Sequence, residues 1–317
     1  MDTAESTTRE QQSLQHLIDA LDRVIRGQTR ATELMLIGLL SGGHVLIEDV
    51  PGVGKTTLAT ALAQALSLDF RRVQCTPDLL PSDILGSNIL DPRDGSLTFH
   101  EGPIFTQVLL VDETNRASPR TQSGLLEAMN ERQVTVDGVT RSLSTPFFVI
   151  ATQNPVDHQG TYALPIAQLD RFLVRVNMGY PGEEDELSVL FDRQSGDPLD
   201  ALEPLANADQ VRGWQSKVME VTVSRDVARY LLQLIRSTRD HPDIALGIST
   251  RGGLGLFRAA QSRAFIRGRS YITPKDIQSL ASPVLAHRLT LTPRAKQSGR
   301  SAVELVEELV KSHAVPV

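Results

Sequence analysis

The sequence predicts an α/β protein with a parallel five-stranded sheet, followed by an all-helical domain. Over residues 1–182, short apolar stretches alternate with segments of helical periodicity. Alternation of this kind is typical of a parallel sheet covered by helices on both faces. Over residues 183–317, apolar residues recur at helical spacing with little strand signal. We therefore expect two domains, an α/β domain over residues 1–182 and a helical domain over residues 183–317.

Two helices are expected before the first strand. Residues 12–21 repeat apolar side chains at the spacing of an amphipathic helix, whereas residues 1–9 are polar and are expected to fray. A second helix runs through residues 34–40 and should stop at Gly42 and Gly43.

Five apolar stretches are expected to form the sheet, and two hairpins should accompany it. The stretches are residues 44–47, 70–74, 107–111, 147–151 and 172–176. After the third stretch, Ser118 followed by Pro119 is typical of a helix start. One hairpin is predicted around Asp137-Gly138, and another over residues 89–99.

A glycine loop connects the first strand to the next helix. The loop and the first helical residues are Pro51, Gly52, Val53, Gly54, Lys55, Thr56 and Thr57. Backbone N–H groups in such a loop and at a helix N-terminus bind phosphate. Lys55 would reach the β- and γ-phosphates of ATP, and the Thr56 hydroxyl would coordinate Mg²⁺. Asp49 stands where the usual motif has its first glycine, a departure that the flanking strand and helix outweigh.

The third strand ends in two carboxylates, Asp112 and Glu113. Ligands of open α/β sheets lie at the carboxyl ends of the strands, so both side chains should face the nucleotide. Asp112 would hold the Mg²⁺ shell, and Glu113 would orient and deprotonate the attacking water. The alternative is an ordinary solvated strand end, which the pairing with the Lys55 loop disfavours.

Polar residues at two further strands are candidates for the same site. Asn154 follows the fourth strand and could bind the γ-phosphate or the attacking water, although Asn before Pro155 is also a common turn former. Arg171 precedes the fifth strand, where it could pair with Asp170 or stabilise transition-state charge in a neighbouring subunit. Arg116 competes for that second role.

Composition limits the classes of function. The chain of 317 residues has 32 Lys and Arg against 38 Asp and Glu, a net charge of -6. This acidic balance argues against a general nucleic-acid binder. The N-terminal residues lack a signal-peptide pattern, and no apolar run reaches the length of a membrane span. We expect a cytoplasmic protein without a membrane span.

The order and spacing of these motifs resemble those of the MoxR family of AAA+ ATPases. The matching stretches are residues 48–56 (EDVPGVGKT), 102–105 (GPIF), 112–116 (DETNR), 151–155 (ATQNP), 160–162 (GTY), 168–172 (QLDRF), 249–251 (STR), 268–269 (GR) and 284–288 (VLAHR). The resemblance covers roughly residues 12–310.

The resemblance implies an AAA+ core with a helical lid, assembled as a hexameric ring. Asn154 corresponds to sensor 1, Arg171 to the arginine finger and Arg251 to sensor 2, acting either in its own subunit or in a neighbour's. Val24, Ile25 and Gly27 would flank the adenine. Residues 80–105 are similar to the hairpin inserted in helix 2 of this branch, and with the second hairpin they would project toward the ring centre. The alternative is two surface hairpins without a mechanical role.

The resemblance also implies a function, the hydrolysis of ATP to remodel or mature partner proteins, for example by inserting metals or cofactors. Such family members work with a partner that carries a von Willebrand factor A domain, here expected on a separate chain. The sequence does not indicate the client. Two alternatives stay open: the ATPase subunit of a magnesium-chelatase-like complex, and a nucleotide-gated binding scaffold with little turnover.

Overall fold

The structure, a computed structural model, describes residues 2–154, 161–192, 194 and 196–316. The helices are α1 (Asp2–Val24), α2 (Thr29–Leu40), α3 (Lys55–Ala65), α4 (Pro81–Leu85), α5 (Pro119–Glu131), α6 (Ile166–Leu169), α7 (Glu183–Asp192), α8 (Ala208–Glu220), α9 (Arg225–Arg239), α10 (Thr250–Ile266), α11 (Pro274–Leu285), α12 (Pro293–Gln297) and α13 (Ala302–Ser312). The strands are β1 (Val45–Glu48), β2 (Phe70–Gln74), β3 (Gly86–Leu90), β4 (Leu97–Glu101), β5 (Val108–Asp112), β6 (Gln133–Val136), β7 (Val139–Ser142), β8 (Phe148–Gln153), β9 (Val174–Val176), β10 (Ile244–Leu246) and β11 (Thr290–Leu291).

Five parallel strands form the main sheet in the order β2-β5-β8-β1-β9. Every residue of β5 is buried, and β8 is buried up to its last residue, as expected for strands covered on both faces. The predicted α/β fold with a parallel five-stranded sheet is confirmed. Because the strands are parallel, their carboxyl ends meet at one edge, which brings Glu48, Asp112 and Gln153 to the same side of the sheet.

Several elements differ from the sequence prediction in their bounds. Helix α1 begins at Asp2, well before the apolar periodicity starts. The fifth strand begins only at Val174, because the Phe172 N–H closes a turn onto the Leu169 carbonyl. The pairing of β10 with β11 was not predicted, since strands of two and three residues are too short to show a periodicity.

A buried arginine makes several of the contacts between the helices that follow α7 and the segment before β9. Arg288 donates hydrogen bonds to the Asp170 carboxylate at 2.8 Å and to the Leu173 carbonyl at 3.1 Å, and it also contacts the carbonyls of Phe172 and Val284. One apolar cluster continues from α1–α3 and the sheet into the lid helices. The domain boundary at residue 182 therefore stays a prediction.

Both predicted hairpins are present, as β3–β4 and β6–β7. Two contacts join them. The Arg141 guanidinium lies 3.7 Å above the centre of the Phe99 ring, and Asn88 Nδ2 donates to Asp137 Oδ2 at 2.5 Å. The hairpins thus form one unit, while their position in a ring stays a prediction.

Candidate nucleotide-binding and hydrolysis site

The phosphate loop connects β1 to the N-terminus of α3, in the context that the sequence predicts. Gly52 and Gly54 have φ angles of 87° and 90°, a conformation that side chains other than glycine rarely adopt. A Cβ atom at either glycine would meet nothing within 4 Å. The glycines are therefore required by backbone conformation, and the space beside them is open for a phosphate group.

Lys55 is the first residue of α3, and its side chain bends back over the loop. Its Nζ donates a hydrogen bond of 2.7 Å to the carbonyl of Asp49. Burial lowers the pKa of Lys55, and the nearby carboxylates of Asp49, Asp112 and Glu113 oppose that shift. The ammonium group thus lies among the residues that the sequence assigns to phosphate and metal binding.

Asp49, the departure from the usual loop motif, has a structural role. Its carboxylate is buried, and Oδ2 accepts hydrogen bonds from the backbone N–H groups of Met178 and Gly179 at 2.6 and 2.7 Å. Oδ1 accepts a third from the N–H of Val50 at 2.8 Å. Asp49 therefore connects the beginning of the phosphate loop to the segment that follows β9, a contact between distant parts of the chain that the motif does not reveal.

Asp112 ends β5 with both carboxylate oxygens occupied. Oδ2 accepts a hydrogen bond of 2.6 Å from Nε of Arg72 on β2, and Oδ1 accepts one of 3.1 Å from the Thr152 hydroxyl on β8. The Thr152 oxygen also accepts the N–H of Glu113 at 2.9 Å. Sequence reasoning missed Arg72 and Thr152, because only the pairing of β2 and β8 with β5 brings them to this carboxylate.

Glu113 lies at the edge of the site, in a left-handed backbone conformation with φ of 54°. Its Oε2 is 3.1 Å from Nε of Arg116 and accepts a hydrogen bond of 2.9 Å from Nε2 of Gln74. Arg116, a candidate for the arginine finger, is thus paired within its own chain. Gln74 ends β2 opposite Asp112 and was not among the expected site residues.

A cavity of about 550 Å³ opens beside the phosphate loop. Val24, Ile25, Gly52, Val53, Gly54 and Thr57, all predicted to contact the nucleotide, line it. Gly27 lies between two further lining residues, Arg26 and Gln28, where the backbone turns at φ of 70°. The remaining lining comes from α7 and the segment before it, namely Tyr180, Pro181, Glu186, Val189 and Leu190, which sequence reasoning did not find.

The remaining predicted site residues, Asn154, Arg171 and Arg251, do not lie together. One is at the carboxyl ends of the strands and two are toward the amino ends. Asn154 follows β8 directly, at the carboxyl edge that carries the phosphate loop. Arg171 instead contacts the Leu126 carbonyl on α5, and Arg251 contacts the Asn130 side chain near the end of α5. The neighbouring Met129 carbonyl contacts His44, which precedes β1. Arg251 therefore lies toward the amino ends of the strands, away from its own phosphate loop, and Asp170 pairs with Arg288 rather than with Arg171.

The residues at the carboxyl edge fit a magnesium ion held together with a nucleotide. Within the described part of the chain, no group of three or more His, Cys, Asp or Glu side chains could hold a metal ion. A site built from one carboxylate, one hydroxyl and phosphate oxygens is the arrangement that Mg²⁺ prefers. Asp112 on β5 and Thr56 on α3 would be those two protein ligands.

Comparisons with known proteins agree with this geometry. Residues 44–174 match the ATPase family associated with various cellular activities (AAA), and residues 236–309 match the AAA lid domain. The chain is 38% identical over 322 residues to Chaperone MoxR1 of Mycobacterium tuberculosis, covering 99% of this chain and 85% of that protein. It is 32% identical over 299 residues to Protein MoxR of Paracoccus denitrificans, covering 86% and 87%.

The chain belongs to the MoxR family of AAA+ ATPases. This MoxR-family protein is also 46% identical over 300 residues to YeaC of Bacillus subtilis, covering 95% of this chain and 94% of YeaC. A crystal structure of a candidate ATPase from Cytophaga hutchinsonii has the same fold, with a TM-score of 0.91 and 35% identity over 99% of this chain and 98% of that one. None of the described helices combines the length and the apolar character needed to cross a membrane.

Proposed function

We propose that this protein binds ATP in the cleft between the phosphate loop and α7 and hydrolyses it to ADP and phosphate. The observation that carries the proposal is the cluster at the carboxyl edge of the sheet. There Lys55 interacts electrostatically with Asp112 and Glu113, and Thr152 bridges these two residues. A binding site alone has no need for a carboxylate beside the metal ligand.

Each residue of the proposed site has a defined role. The loop glycines, Lys55 and Thr57 bind the phosphates, while Val24 and Ile25 pack against the adenine. Thr56 and Asp112 would hold Mg²⁺, which when bound neutralises charge on the phosphates. Glu113 orients the attacking water and accepts its proton, and Asn154 binds the γ-phosphate or that water.

The site is completed by a neighbouring subunit. Arg171 and Arg251 lie toward the amino ends of the strands, so in our proposal they stabilise the transition-state charge in the next copy of the chain. A ring is the closed arrangement that gives every subunit such a neighbour. We propose a hexamer, as the family resemblance implies.

The work done by hydrolysis is the remodelling or maturation of other proteins. The relative named Chaperone MoxR1 supports this role. The family resemblance further implies a separate partner with a von Willebrand factor A domain. Adding such a partner should change the rate of ATP hydrolysis, and an unchanged rate with every candidate partner would count against this part of the proposal.

The substitution Glu113→Gln tests the hydrolytic role. The variant should lose ATP turnover by about a hundredfold or more, because it lacks the general base, while it keeps its affinity for ATP. Glu127→Gln, an exposed residue on α5, is the matched control and should keep wild-type turnover. Unchanged turnover in Glu113→Gln would refute the assigned base, and a wild-type protein that binds ATP without hydrolysing it would instead be a nucleotide-gated scaffold.

A further inference from the structure

The ion pair between Arg72 and Asp112 is the feature of the site that the hydrolytic mechanism does not use. Arg72 lies on β2, the edge strand of the sheet, directly beside β5. Its Nε is 2.6 Å from Oδ2 of Asp112. The Asp112 side chain is 9% exposed and that of Arg72 is 49% exposed, so a solvated cation covers a buried carboxylate.

The Arg72 guanidinium covers the carboxylate of Asp112, which must be accessible if it is to bind Mg²⁺. The Thr152 hydroxyl binds Oδ1 of Asp112, whereas Oδ2 is bound by the half-exposed side chain of Arg72. A guanidinium group on that oxygen repels a divalent cation and occupies one of the lone pairs of the oxygen. Arg72 therefore weakens the binding of Mg²⁺ at Asp112 for as long as the ion pair is in place.

We infer that Arg72 is a positioning residue that competes with Mg²⁺ for Asp112 and so sets the concentration of Mg²⁺ that the nucleotide site requires. This inference rests on the proposed binding of a magnesium–nucleotide complex. Because its side chain is half exposed, Arg72 can move into solvent when the metal arrives, at the cost of a partly solvated ion pair. Its Nη2 also donates to Oε1 of Gln74 at 3.3 Å, which holds the guanidinium beside the carboxylate until then.

The alternative is that the pair only fastens the edge strand. A structural pair would affect the free energy of unfolding, whereas competition with a metal affects the dependence of nucleotide binding on Mg²⁺. The neighbouring residue Arg71 supplies the control, because successive side chains of a strand point to opposite faces and both arginines are exposed. Arg71→Gln and Arg72→Gln remove the same charge from adjacent positions.

The test is the binding of ADP to the full chain, measured by calorimetry over a series of Mg²⁺ concentrations and in the presence of a chelator. In Arg72→Gln, the Mg²⁺ concentration that gives half of the metal-dependent gain in affinity should fall about tenfold. The affinity for ADP without metal should change less than about twofold, since the metal ligand is not then in use. Arg71→Gln should behave as the wild type, and Arg72→Lys, which keeps the cation, should lie close to it.

The outcomes separate this inference from the proposed function. An unchanged or increased Mg²⁺ requirement in Arg72→Gln, with normal ADP binding by the wild type, would overturn the inference alone. A wild-type chain that binds no ADP with or without Mg²⁺ would overturn the proposed function as well. The unfolding midpoint of each variant without ligand shows whether it is folded. If Arg72→Gln is not, Arg72→Met, which keeps the aliphatic length of the side chain without its charge, provides the second test and should show the same fall in the Mg²⁺ requirement.

Discussion

The carboxylate of Asp49 accepts a hydrogen bond of 2.7 Å from the backbone N–H of Gly179, which lies 130 residues further along the chain. Gly179 in turn offers its carbonyl to the side chain of Gln28, near the turn that lines the nucleotide cavity. The phosphate loop, the turn after α1 and the segment before α7 are thus connected through two hydrogen bonds. A nucleotide bound between them would contact all three.

We expect Asp49→Asn to weaken this connection. The amide has no charge and can present only one oxygen, so the N–H groups of Met178 and Gly179 lose a strong acceptor. The free energy of unfolding should fall by about 1–3 kcal/mol, as measured by chemical denaturation. Asp200→Asn, at an exposed position, should leave it unchanged.

The same variant should bind ADP less tightly. If Asp49 aligns the phosphate loop with the base-binding part of the cavity, the affinity for ADP should fall about tenfold and that for inorganic tripolyphosphate much less. Equal losses for both ligands would mean that Asp49 shapes the phosphate loop alone. Calorimetric titration of the two ligands distinguishes these results.

Lys55→Ala should abolish detectable nucleotide binding. The variant removes the ammonium group that donates a hydrogen bond to the Asp49 carbonyl and that we assign to the β- and γ-phosphates. Lys275→Ala, an exposed lysine on α11, controls for loss of charge. Wild-type affinity for ATP in Lys55→Ala would contradict the phosphate-loop assignment.

Two inactive variants should restore activity when they are mixed. Lys55→Ala lacks a working phosphate loop but keeps Arg171, whereas Arg171→Ala keeps the loop but lacks the arginine. In an equal mixture, about a quarter of the subunit interfaces would pair an intact loop with an intact arginine. ATP turnover should therefore rise toward about a quarter of the wild-type value.

A negative result of the mixing experiment would also be informative. No recovery, with subunit exchange demonstrated by a fluorescence label, would mean that Arg171 acts within its own chain or not at all. Repeating the mixture with Arg251→Ala decides the same question for the lid arginine. Each single variant, measured alone at the same total concentration, provides the baseline.

His44 should make folding sensitive to mild acid. Burial lowers the pKa of His44 from 6.5 to about 4, and its neutral ring accepts the Val149 N–H at 3.0 Å while the other nitrogen lies 3.1 Å from the Met129 carbonyl. Between these two pKa values the unfolded chain binds the extra proton, so stability rises with pH over that window and is complete above about pH 6.5. The contribution is roughly 3 kcal/mol.

Denaturation curves measured at several pH values test this expectation. His44→Asn keeps an acceptor near Val149 but cannot be protonated, so its stability should depend less on pH between 4 and 6.5 than that of the wild type. His16→Asn, an exposed position on α1, should keep the wild-type dependence. Identical pH dependence in His44→Asn and wild type would contradict the lowered pKa of His44 in the folded chain.

Most of the fold follows from the sequence, and so do the candidate phosphate loop and the two carboxylates of the site. Hydrophobic periodicity located the strands of the sheet, and the loop before Lys55 predicts the phosphate site because strand, glycine loop and helix are contiguous in the chain. Asp112 and Glu113 were found for the same reason, as a polar pair directly after a buried strand. Such signals are local: they depend on residues that are close in the sequence, so they can be recognised without the tertiary structure.

Only the tertiary structure decided the hydrogen-bond and ion-pair partners of these residues. Arg72 and Thr152 reach Asp112 through the pairing of three strands, and Asp49 reaches Gly179 because β1 pairs with β9. Arg251 resembles a phosphate sensor in sequence, yet its contact with Asn130 near the end of α5 places it away from its own loop. Contacts between distant segments depend on strand order and helix packing, which are set by the whole core rather than by any single motif. The sequence by itself therefore determined the fold class and predicts which groups act on a nucleotide, and the tertiary structure decided which of these groups meet within one chain.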